Sequence, residues 1–408
     1  MPLIKPFRAL RPAPGRAAEV LAPPYDVLSS AEARERAQGK PWSFLHVSKA
    51  EIDLPPSIDP YDRAVYAKAA ENLQRMIAAG VLARDAKPCY YVYRLTWRGR
   101  VETGLAAVAS LAAYAGNRIR KHEYTTLAKE DDRVRQIEAV NAQTGPVMLA
   151  YQTAPAIDAM LAHAASGRAA VNVTAADGVR HQLWVIDDDA TIAALTRAVD
   201  ALPALYVADG HHRSAAALRV AQKRGDKDGY FLAVLFPELE MTILDYNRVL
   251  RDLNGRSADE LLAEIRRRYT VEASGPPVRP ARASEVGMVL AGRWYRLTLR
   301  SDFAAESARS ADPVARLPVT LLHHYIIEPI FGVTDPRTDK RIDFVGGGRG
   351  LGELARLVSS GEMAVAFALY PTQMRDLMAV ADADAIMPPK STWFEPKLAD
   401  GMVSHMLD

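Results

Sequence analysis

The sequence is poor in cysteine, in long apolar runs and in excess charge. Cys89 is the one cysteine among 408 residues, which excludes an intrachain disulfide and a metal site built from several cysteines. The longest mainly apolar stretch, residues 104–116, has 13 residues, whereas a membrane-spanning helix needs about 20. The first 16 residues hold no apolar segment of the kind found in signal peptides. We therefore expect a cytoplasmic protein with no membrane partner.

The charge balance disfavours a nucleic-acid partner. The chain has 51 basic and 49 acidic residues, a net charge of +2. Its most basic segment, residues 118–135, contains six Lys and Arg but also four Asp and Glu. Proteins that bind nucleic acid usually carry a clustered basic face that neutralises phosphates. Apolar residues make up 49% of the chain, which is typical of a folded protein rather than a disordered one.

Strand and helix patterns alternate along the chain and predict an α/β (or α+β) protein with mixed sheets. Residues 90–97 and 101–111 predict two strands joined at Arg98-Gly99-Arg100. Helices are predicted over residues 30–38, with Ser30 as the N-cap, and over residues 62–79. SFLHV, at 43–47, has the apolar pattern of a strand. We expect an N-terminal α/β domain over residues 1–240 and a C-terminal α+β domain over residues 241–408.

The most informative segment is ALYVADGHHRSAAALRVAQKR, residues 204–224. An apolar strand runs into Asp209-Gly210 and an alanine-rich helix follows, so the free N–H groups of the helix and the positive end of its dipole point at one place. Such a place binds anions, phosphate especially. We expect Asp209 to cap the helix and Gly210 to allow a close approach of the ligand. His211, His212 and Arg213 add donors, and the forked guanidinium suits a phosphate.

A second polar cluster lies within residues 121–133. If residues 126–140 are helical, Lys129, Asp132 and Arg133 share one face, which is also the pattern of a surface ion-pair ladder. The adjacent His122 and Glu123 have the side chains of a general acid or base, or of a metal ligand. The candidate site residues of this cluster are His122, Glu123, Thr125, Lys129 and Arg133.

Two proline-rich segments near the chain ends also contain candidate site residues. Pro23-Pro24 holds the backbone extended and presents Tyr25 and Asp26 in a fixed direction. MPPKSTWFEPKL, residues 387–398, has the composition of a rigid loop, and such loops often carry function. The alternative is a chain end packed over the core by its aromatic residues. The candidate phosphate-binding residues of this loop are Lys390, Ser391, Thr392 and Lys397.

Several familiar motifs are absent. The glycines of FVGGGRGLGEL, residues 344–354, fit neither a dinucleotide fingerprint nor a P-loop and predict a turn before a helix. The sequence contains no HExxH, no GxSxG and no kinase signature. Its nine histidines show no convincing spacing for a zinc site.

Four segments together resemble one family. PPYDV, RKHEYT with the following KEDDR, ADGHHR and MPPKSTWFEPKL are similar to the bacterial and archaeal "domain of unknown function 1015" family, and they occur in family order. ADGHHR also resembles the phosphate-binding strand–turn–helix of the ParB/sulfiredoxin-like superfamily, which includes the archaeal free serine kinase. The chain departs from the family pattern at Ser214, Trp393 and Glu395.

The resemblance implies a ParB/sulfiredoxin-like phosphate-binding core plus a second α/β domain. It also implies that residues 209–213 bind the phosphate of a nucleotide or substrate. Serine biosynthesis is the suggested context of the family, so serine or O-phosphoserine is the expected small-molecule ligand.

These segments predict a phosphoryl-transfer enzyme that interconverts serine and O-phosphoserine, with ADP or ATP and with Mg²⁺ as cofactors. Such chemistry needs positioning and charge stabilisation above all. The catalytic candidates are Asp209, His211, His212, Glu123 and Asp26, and either Glu123 or Asp26 would hold Mg²⁺. Two alternatives stay open: a phosphoserine phosphatase that needs no nucleotide, and a non-catalytic module that binds a nucleotide or phosphorylated metabolite. The sequence indicates no oligomeric state.

Overall fold

A computed structural model describes residues 1–407 and divides the chain into two compact units. The first unit comprises Met1–Lys121, Thr125–Met241 and the residues from Pro396 onward, and the second comprises His122–Tyr124 and Thr242–Glu395. The predicted domains, 1–240 and 241–408, concern independent folding and stay a prediction. The described residues contain no helix that is both long and apolar enough to cross a bilayer.

The strands are short and spread along the whole chain. In chain order they are β1 (Ile4–Lys5), β2 (Ala9–Pro12), β3 (Leu82–Arg84), β4 (Tyr90–Trp97), β5 (Arg100–Ser110), β6 (Ile119–Arg120), β7 (Ala142–Gln143), β8 (Val147–Tyr151), β9 (Val171–Thr174), β10 (Arg180–Ile186), β11 (Leu205–Asp209), β12 (Tyr230–Pro237), β13 (Ile243–Leu244), β14 (Tyr246–Leu250), β15 (Tyr269–Ser274), β16 (Glu285–Leu290), β17 (Arg293–Leu299), β18 (Ile342–Gly346), β19 (Val365–Leu369), β20 (Trp393–Phe394) and β21 (Ser404–Met406).

Helices alternate with these strands. They are α1 (Ala17–Val20), α2 (Ser30–Ala37), α3 (Leu45–Ser48), α4 (Arg63–Ala78), α5 (Leu111–Ala115), α6 (Leu127–Val140), α7 (Pro155–Ala164), α8 (Asp189–Asp200), α9 (His211–Arg224), α10 (Ala258–Arg266), α11 (Ser301–Arg309), α12 (Pro318–Leu322), α13 (Gly350–Ser359) and α14 (Met374–Asp382). Short 3-10 turns cover Tyr25–Val27, Ala50–Asp53, Pro313–Arg316 and Gly347–Arg349, and a π-helix over His323–Phe331 continues α12.

The first unit is built on a mixed sheet in the order β6-β11-β8-β12-β5-β4-β10-β9, with β1 paired to β5. Strand β11 is parallel to β6, and β12 is parallel to β8, while the other pairs are antiparallel. Every residue of β8 and β12 is buried, as expected for strands covered on both faces. A smaller antiparallel sheet has the order β3-β2-β21-β7.

The second unit has an antiparallel sheet of its own in the order β15-β17-β16-β19-β14-β18, and the pair β13-β20. One hydrophobic core of this unit contains Val289, Trp294 and Ala366 of the sheet together with Leu354 of α13. Mixed and antiparallel sheets with intervening helices confirm the predicted α/β class. The ParB/sulfiredoxin-like assignment of the core stays a prediction.

The structure confirms two of the predicted element boundaries and corrects a third. The turn between β4 and β5 has positive φ at Arg98 (48°) and Gly99 (77°), the conformation of a tight hairpin turn. Helix α4 begins after Asp62, whose side chain accepts a hydrogen bond from Ala64 N at 2.8 Å. The prediction for α2 was wrong by one residue, because Ser29 is the N-cap and forms a reciprocal capping box with Glu32.

SFLHV was wrongly predicted as a strand. Leu45–Ser48 forms the one-turn helix α3, and the hydroxyl of Ser48 donates to the carbonyl of Phe44 at 3.3 Å. Phe44, Leu45 and Val47 are all buried. An apolar run this short fits a buried strand and a buried helical turn equally well.

Candidate functional site

The turn between β11 and α9 brings a positive helix end and a buried arginine to the same place. Gly210 joins the two elements with φ +100°, and a Cβ there would lie 3.1 Å from Nε of Arg213. Glycine is required because the backbone is left-handed and the guanidinium folds back against it. Asp209 does not cap the helix, contrary to the prediction, since the N-cap is Gly210 and makes no side-chain bond. The Asp209 carboxylate instead contacts Arg213.

Arg213 is held by groups from three segments of the first unit. Its Nη2 lies 3.2 Å from Oδ2 of Asp209 and 3.8 Å from Oδ2 of Asp26, and its Nη1 donates to the carbonyl of Pro146. The side chain is 10% exposed, and its buried Nε has no hydrogen-bond partner. Burial alone would lower the pKa of the guanidinium, but the carboxylates of Asp26 and Asp209 raise it above its ordinary value. Arg213 is therefore a fixed, permanently charged donor.

Lys397 lies beside the same carboxylate. Its Nζ is 3.4 Å from Oδ2 of Asp209, so Asp209 accepts from two cations. Burial would raise the pKa of Asp209, but the charges of Lys397 and Arg213 outweigh it and hold the pKa well below its usual value. Asp209 is therefore a weaker proton acceptor than an ordinary carboxylate, which argues against its candidacy as a general base.

The PPYDV segment places Tyr25 and Asp26 at this site. They form a 3-10 turn directly after Pro24, and the side chain of Asp26 is 41% exposed. The guanidinium of Arg133 stacks on the Tyr25 ring, with Cζ 3.8 Å from the ring centroid. Arg133 also donates to Oδ2 of Asp132 at 2.8 and 2.6 Å. The carboxylate of Asp132 therefore balances the charge of Arg133, while the face of the guanidinium contacts the Tyr25 ring.

A buried carboxylate that the sequence analysis missed completes the group. Asp400 is 2% exposed, and burial raises its pKa to about 7 against the lowering effect of Arg213. Together with Tyr25, Arg133 and Arg213 it lines a cavity of about 30 Å³. Little in the sequence indicated it, because residues 399–401 are one of three Ala-Asp-Gly triplets, with residues 176–178 and 208–210.

The start of α6 holds two further candidates. His212 Nε2 accepts a hydrogen bond from the backbone N–H of Thr126 at 3.2 Å. The hydroxyl of Thr125 donates to the carboxylate of Glu130, while Lys129 is exposed in the first turn of the helix. His211, the first residue of α9, is buried. The structure thus attaches His212 to the N-terminus of α6 and leaves Lys129 in solvent.

The remaining candidates, His122, Glu123, Lys390, Ser391 and Thr392, belong to the second unit. The carbonyl of His122 accepts from the backbone N–H of Met387 at 2.8 Å, which ties the RKHEYT segment to the MPPKST loop. The hydroxyl of Ser391 donates to the carbonyl of Pro388 at 2.6 Å. In this structure Ser391 therefore stabilises its own turn.

Lys390 is the strained residue of that turn. Its φ is +57°, a left-handed value unusual for a residue with a side chain. Arg248, which is 4% exposed, donates to the carbonyls of Lys390 and Pro389, each at 2.9 Å. Burial lowers the pKa of Arg248 to about 9. The buried guanidinium therefore fixes the backbone from which the exposed ammonium of Lys390 projects.

A comparison with protein families identifies the chain. The model of the family described as "Protein of unknown function (DUF1015)" matches residues 4–320. The chain belongs to this family. The match contains the PPYDV, RKHEYT and ADGHHR segments, while the MPPKSTWFEPKL segment lies beyond it. No curated protein matches the chain.

Three solved structures show a weak similarity to this chain. A conserved hypothetical protein from Pyrococcus furiosus is 11% identical, with a TM-score of 0.34 over 72% of this chain and 93% of its own. A free serine kinase in complex with AMP is 11% identical, with a TM-score of 0.34 over 71% and 86%. SbnI from Staphylococcus aureus, with a C-terminal truncation, is 12% identical, with a TM-score of 0.38 over 73% and 86%. Likeness at this level carries no argument about the activity of this chain.

Proposed function

We propose that Arg213 and the N-terminus of α9 bind a phosphate group, and that the chain transfers this group between a nucleotide and a small hydroxylated metabolite, with serine and O-phosphoserine as the reacting pair. One observation supports this above the others. A buried guanidinium lies against the first turn of a 14-residue helix, beside Lys397, with its Nε free of any partner. Helix N–H groups and a forked cation are a combination that favours phosphate.

Asp26 is the carboxylate that we assign as general base. It is 41% exposed, whereas Asp400 is buried and the carboxylate of Asp209 is made a weak proton acceptor by two cations. In the forward reaction the serine Oγ forms a bond to the terminal phosphorus of the nucleotide, the bond from that phosphorus to the bridging oxygen breaks, and the Oγ proton passes to Asp26. Arg213 and Lys397 would stabilise the charge on the transferred group.

Mg²⁺ would accompany the nucleotide phosphates and offset their charge. Asp26, which pairs with Arg213 at 3.8 Å, and Glu123 stay the two predicted protein ligands for the metal.

The test is product analysis on the purified chain. O-phosphoserine and Mg²⁺ are incubated with ADP, with ATP or without nucleotide, and phosphorus and proton NMR follow each species. We expect serine only in the presence of ADP, with ATP as the second product. Serine without nucleotide would replace the kinase proposal by a phosphatase. Binding without turnover would replace it by a non-catalytic module, and the absence of both would overturn it.

Two substitutions on α9 distinguish a role of Arg213 in phosphate binding from the effect of losing any arginine of this helix. Arg213→Met removes the proposed phosphate ligand and should lower the rate by about 100-fold or more, the usual loss when a preorganised donor is removed. Arg219→Met is the matched control, because Arg219 lies on α9 but pairs with Glu130 and Asp131 at 3.1 and 2.6 Å. We expect it to keep its rate within about twofold. A folded Arg213→Met chain with full activity would contradict the proposal.

A further inference from the structure

Asp400 is fixed by backbone contacts rather than placed on a mobile end. Its N–H donates to the carbonyl of Ala22 at 2.9 Å, and its carbonyl accepts from the N–H of Ala22 at 3.2 Å. Gly401 follows with φ +83° and has the Phe44 ring where a Cβ would be. The pairing to Ala22 also sets where the PPYDV segment begins. One backbone bridge therefore positions both Asp400 and Asp26.

The groups that face this carboxyl come from every neighbouring element. Ser48, at the end of α3, lines the same cavity, and its hydroxyl favours the ionised form of Asp400. Gly145 lies between Asp400 and Arg213, since a Cβ there would be 3.5 Å from Oδ1 of Asp400 and 3.4 Å from Cδ of Arg213. The titratable and charged groups around Asp400 are Arg213 from α9, Arg133 from α6, Asp26 and Tyr25 from the 3-10 turn, and Tyr93 from β4.

Three carboxylates therefore surround one guanidinium. Asp209 and Asp26 already contact Arg213, and Asp400 is the third and the most deeply buried. A further negative charge in such a place is unfavourable, because burial and the charge of Asp26 oppose ionisation more strongly than Arg213 favours it. An anionic ligand at Arg213 would add to this opposition.

We propose that Asp400 is a positioning residue of the phosphate site and that it takes up one proton when Arg213 binds a doubly charged anion. This inference rests on the proposed function only in its first part, the binding of phosphate at Arg213. Binding energies are reciprocal, so if the anion favours the protonated carboxyl, the protonated carboxyl favours the anion to the same extent. The proton comes from solvent, and the 30 Å³ cavity beside the carboxyl has room for about two water molecules to carry it.

Sulfate is the first probe, because it has the shape and charge of a phosphate dianion but does not titrate near neutral pH. Its affinity for the full chain is measured by calorimetry at about pH 6, 7 and 8, in buffers with different ionisation enthalpies. We expect the affinity to fall by about tenfold between pH 6 and pH 8, with uptake of about one proton per sulfate at the upper end. Inorganic phosphate should follow the same trend once its own ionisation is subtracted.

Asp400→Asn shows which group takes up the proton. Proton uptake by any other group, such as a histidine of α9, would persist in this variant. We expect Asp400→Asn to lose most of the pH dependence and to keep, at pH 8, the affinity that the unaltered chain has at pH 6. Asp85→Asn is the matched control, since Asp85 is part of a half-buried ion pair with Arg11 in the same unit. The control should keep the pH dependence.

Ser48→Ala provides a second test in case Asp400→Asn does not fold. Loss of the Ser48 hydroxyl, which favours the ionised form of Asp400, should move the midpoint of the pH dependence upward while the amplitude remains, and an unchanged midpoint would overturn the assignment to Asp400. Identical pH profiles for the unaltered chain and Asp400→Asn would overturn it as well, with the phosphate site intact. Absence of sulfate and phosphate binding at every pH would overturn both the inference and the proposed function. Binding with proton uptake but without phosphoryl transfer would leave the inference in place and refute the enzymatic proposal.

Discussion

Replacement of Asp400 by asparagine should stabilise the first unit at neutral and alkaline pH. Burial raises the pKa of this carboxyl from its ordinary value of 3.8 to about 7, and each unit of difference corresponds to about 1.4 kcal/mol. At pH 8 the ionised carboxylate therefore costs the folded state about 4 kcal/mol relative to the unfolded chain. Asparagine has nearly the same size and no charge, so the variant should recover most of this free energy.

The stabilisation by Asp400→Asn depends on pH because the pKa of Asp400 is raised in the folded state. Because the folded pKa is the higher one, the folded state binds the extra proton between about pH 4 and pH 7, and this stabilisation is lost as the pH rises through that window. Asp209, whose pKa is lowered, contributes in the opposite direction at acid pH. The difference between variant and unaltered chain isolates Asp400. It should grow from about 2 kcal/mol at pH 5 to about 4 kcal/mol at pH 8.

Native-state hydrogen exchange of the slowest amides of β12 is the appropriate assay, because a chain with two compact units need not unfold in a single step. Asp85→Asn, which loses its ion pair with Arg11 at 2.8 Å, should be less stable than the unaltered chain at both pH values. Equal stability of Asp400→Asn and the unaltered chain at pH 8, or a less stable variant, would refute the account of Asp400 as a costly buried charge.

Two further substitutions test how the turns are built. Gly210→Ala should destabilise the first unit by about 1–3 kcal/mol in chemical denaturation, since it forces a side chain into left-handed backbone against Arg213, and it should weaken sulfate binding in the same preparation. Arg248→Met should change the free energy of unfolding by less than about 1–2 kcal/mol, because the loss of its hydrogen bonds is offset by the removal of a buried charge. Residues 387–392 should nevertheless exchange their amide protons faster in this variant, and unchanged exchange would contradict the role of Arg248 in holding Lys390.

The sequence was most informative where a local rule determines the backbone. The strand, the glycine and the helix of residues 205–224 were all predictable, because an apolar run, a positive-φ residue and an alanine-rich segment follow each other directly. The role of Asp209 was not predictable. A carboxylate at such a turn caps the helix unless a stronger partner competes, and the competing cations, Arg213 and Lys397, are a tertiary feature.

The site role of Asp400 could not be predicted from the sequence at all. Its neighbours Ser48, Arg133 and Arg213 are scattered along the sequence, and only the pairing of residues 22 and 400 places it beside them. An Ala-Asp-Gly triplet near the end of a chain is typical of an ordinary turn. Its burial, and with it the high pKa, arises from packing between segments that no periodicity connects.

The geometry of the ion pairs of Arg213 also indicates which carboxylate a bound phosphate would displace. A buried guanidinium needs compensating charge when no phosphate is bound, and Asp209 and Asp26 supply it at 3.2 and 3.8 Å. Asp209 is held a second time by Lys397, whereas Asp26 is more exposed and makes the longer contact. A phosphate that approaches Arg213 would therefore displace Asp26 first. In the proposed reaction this displacement frees the Asp26 carboxylate to accept the proton of the attacking hydroxyl at the step when the phosphate is in place.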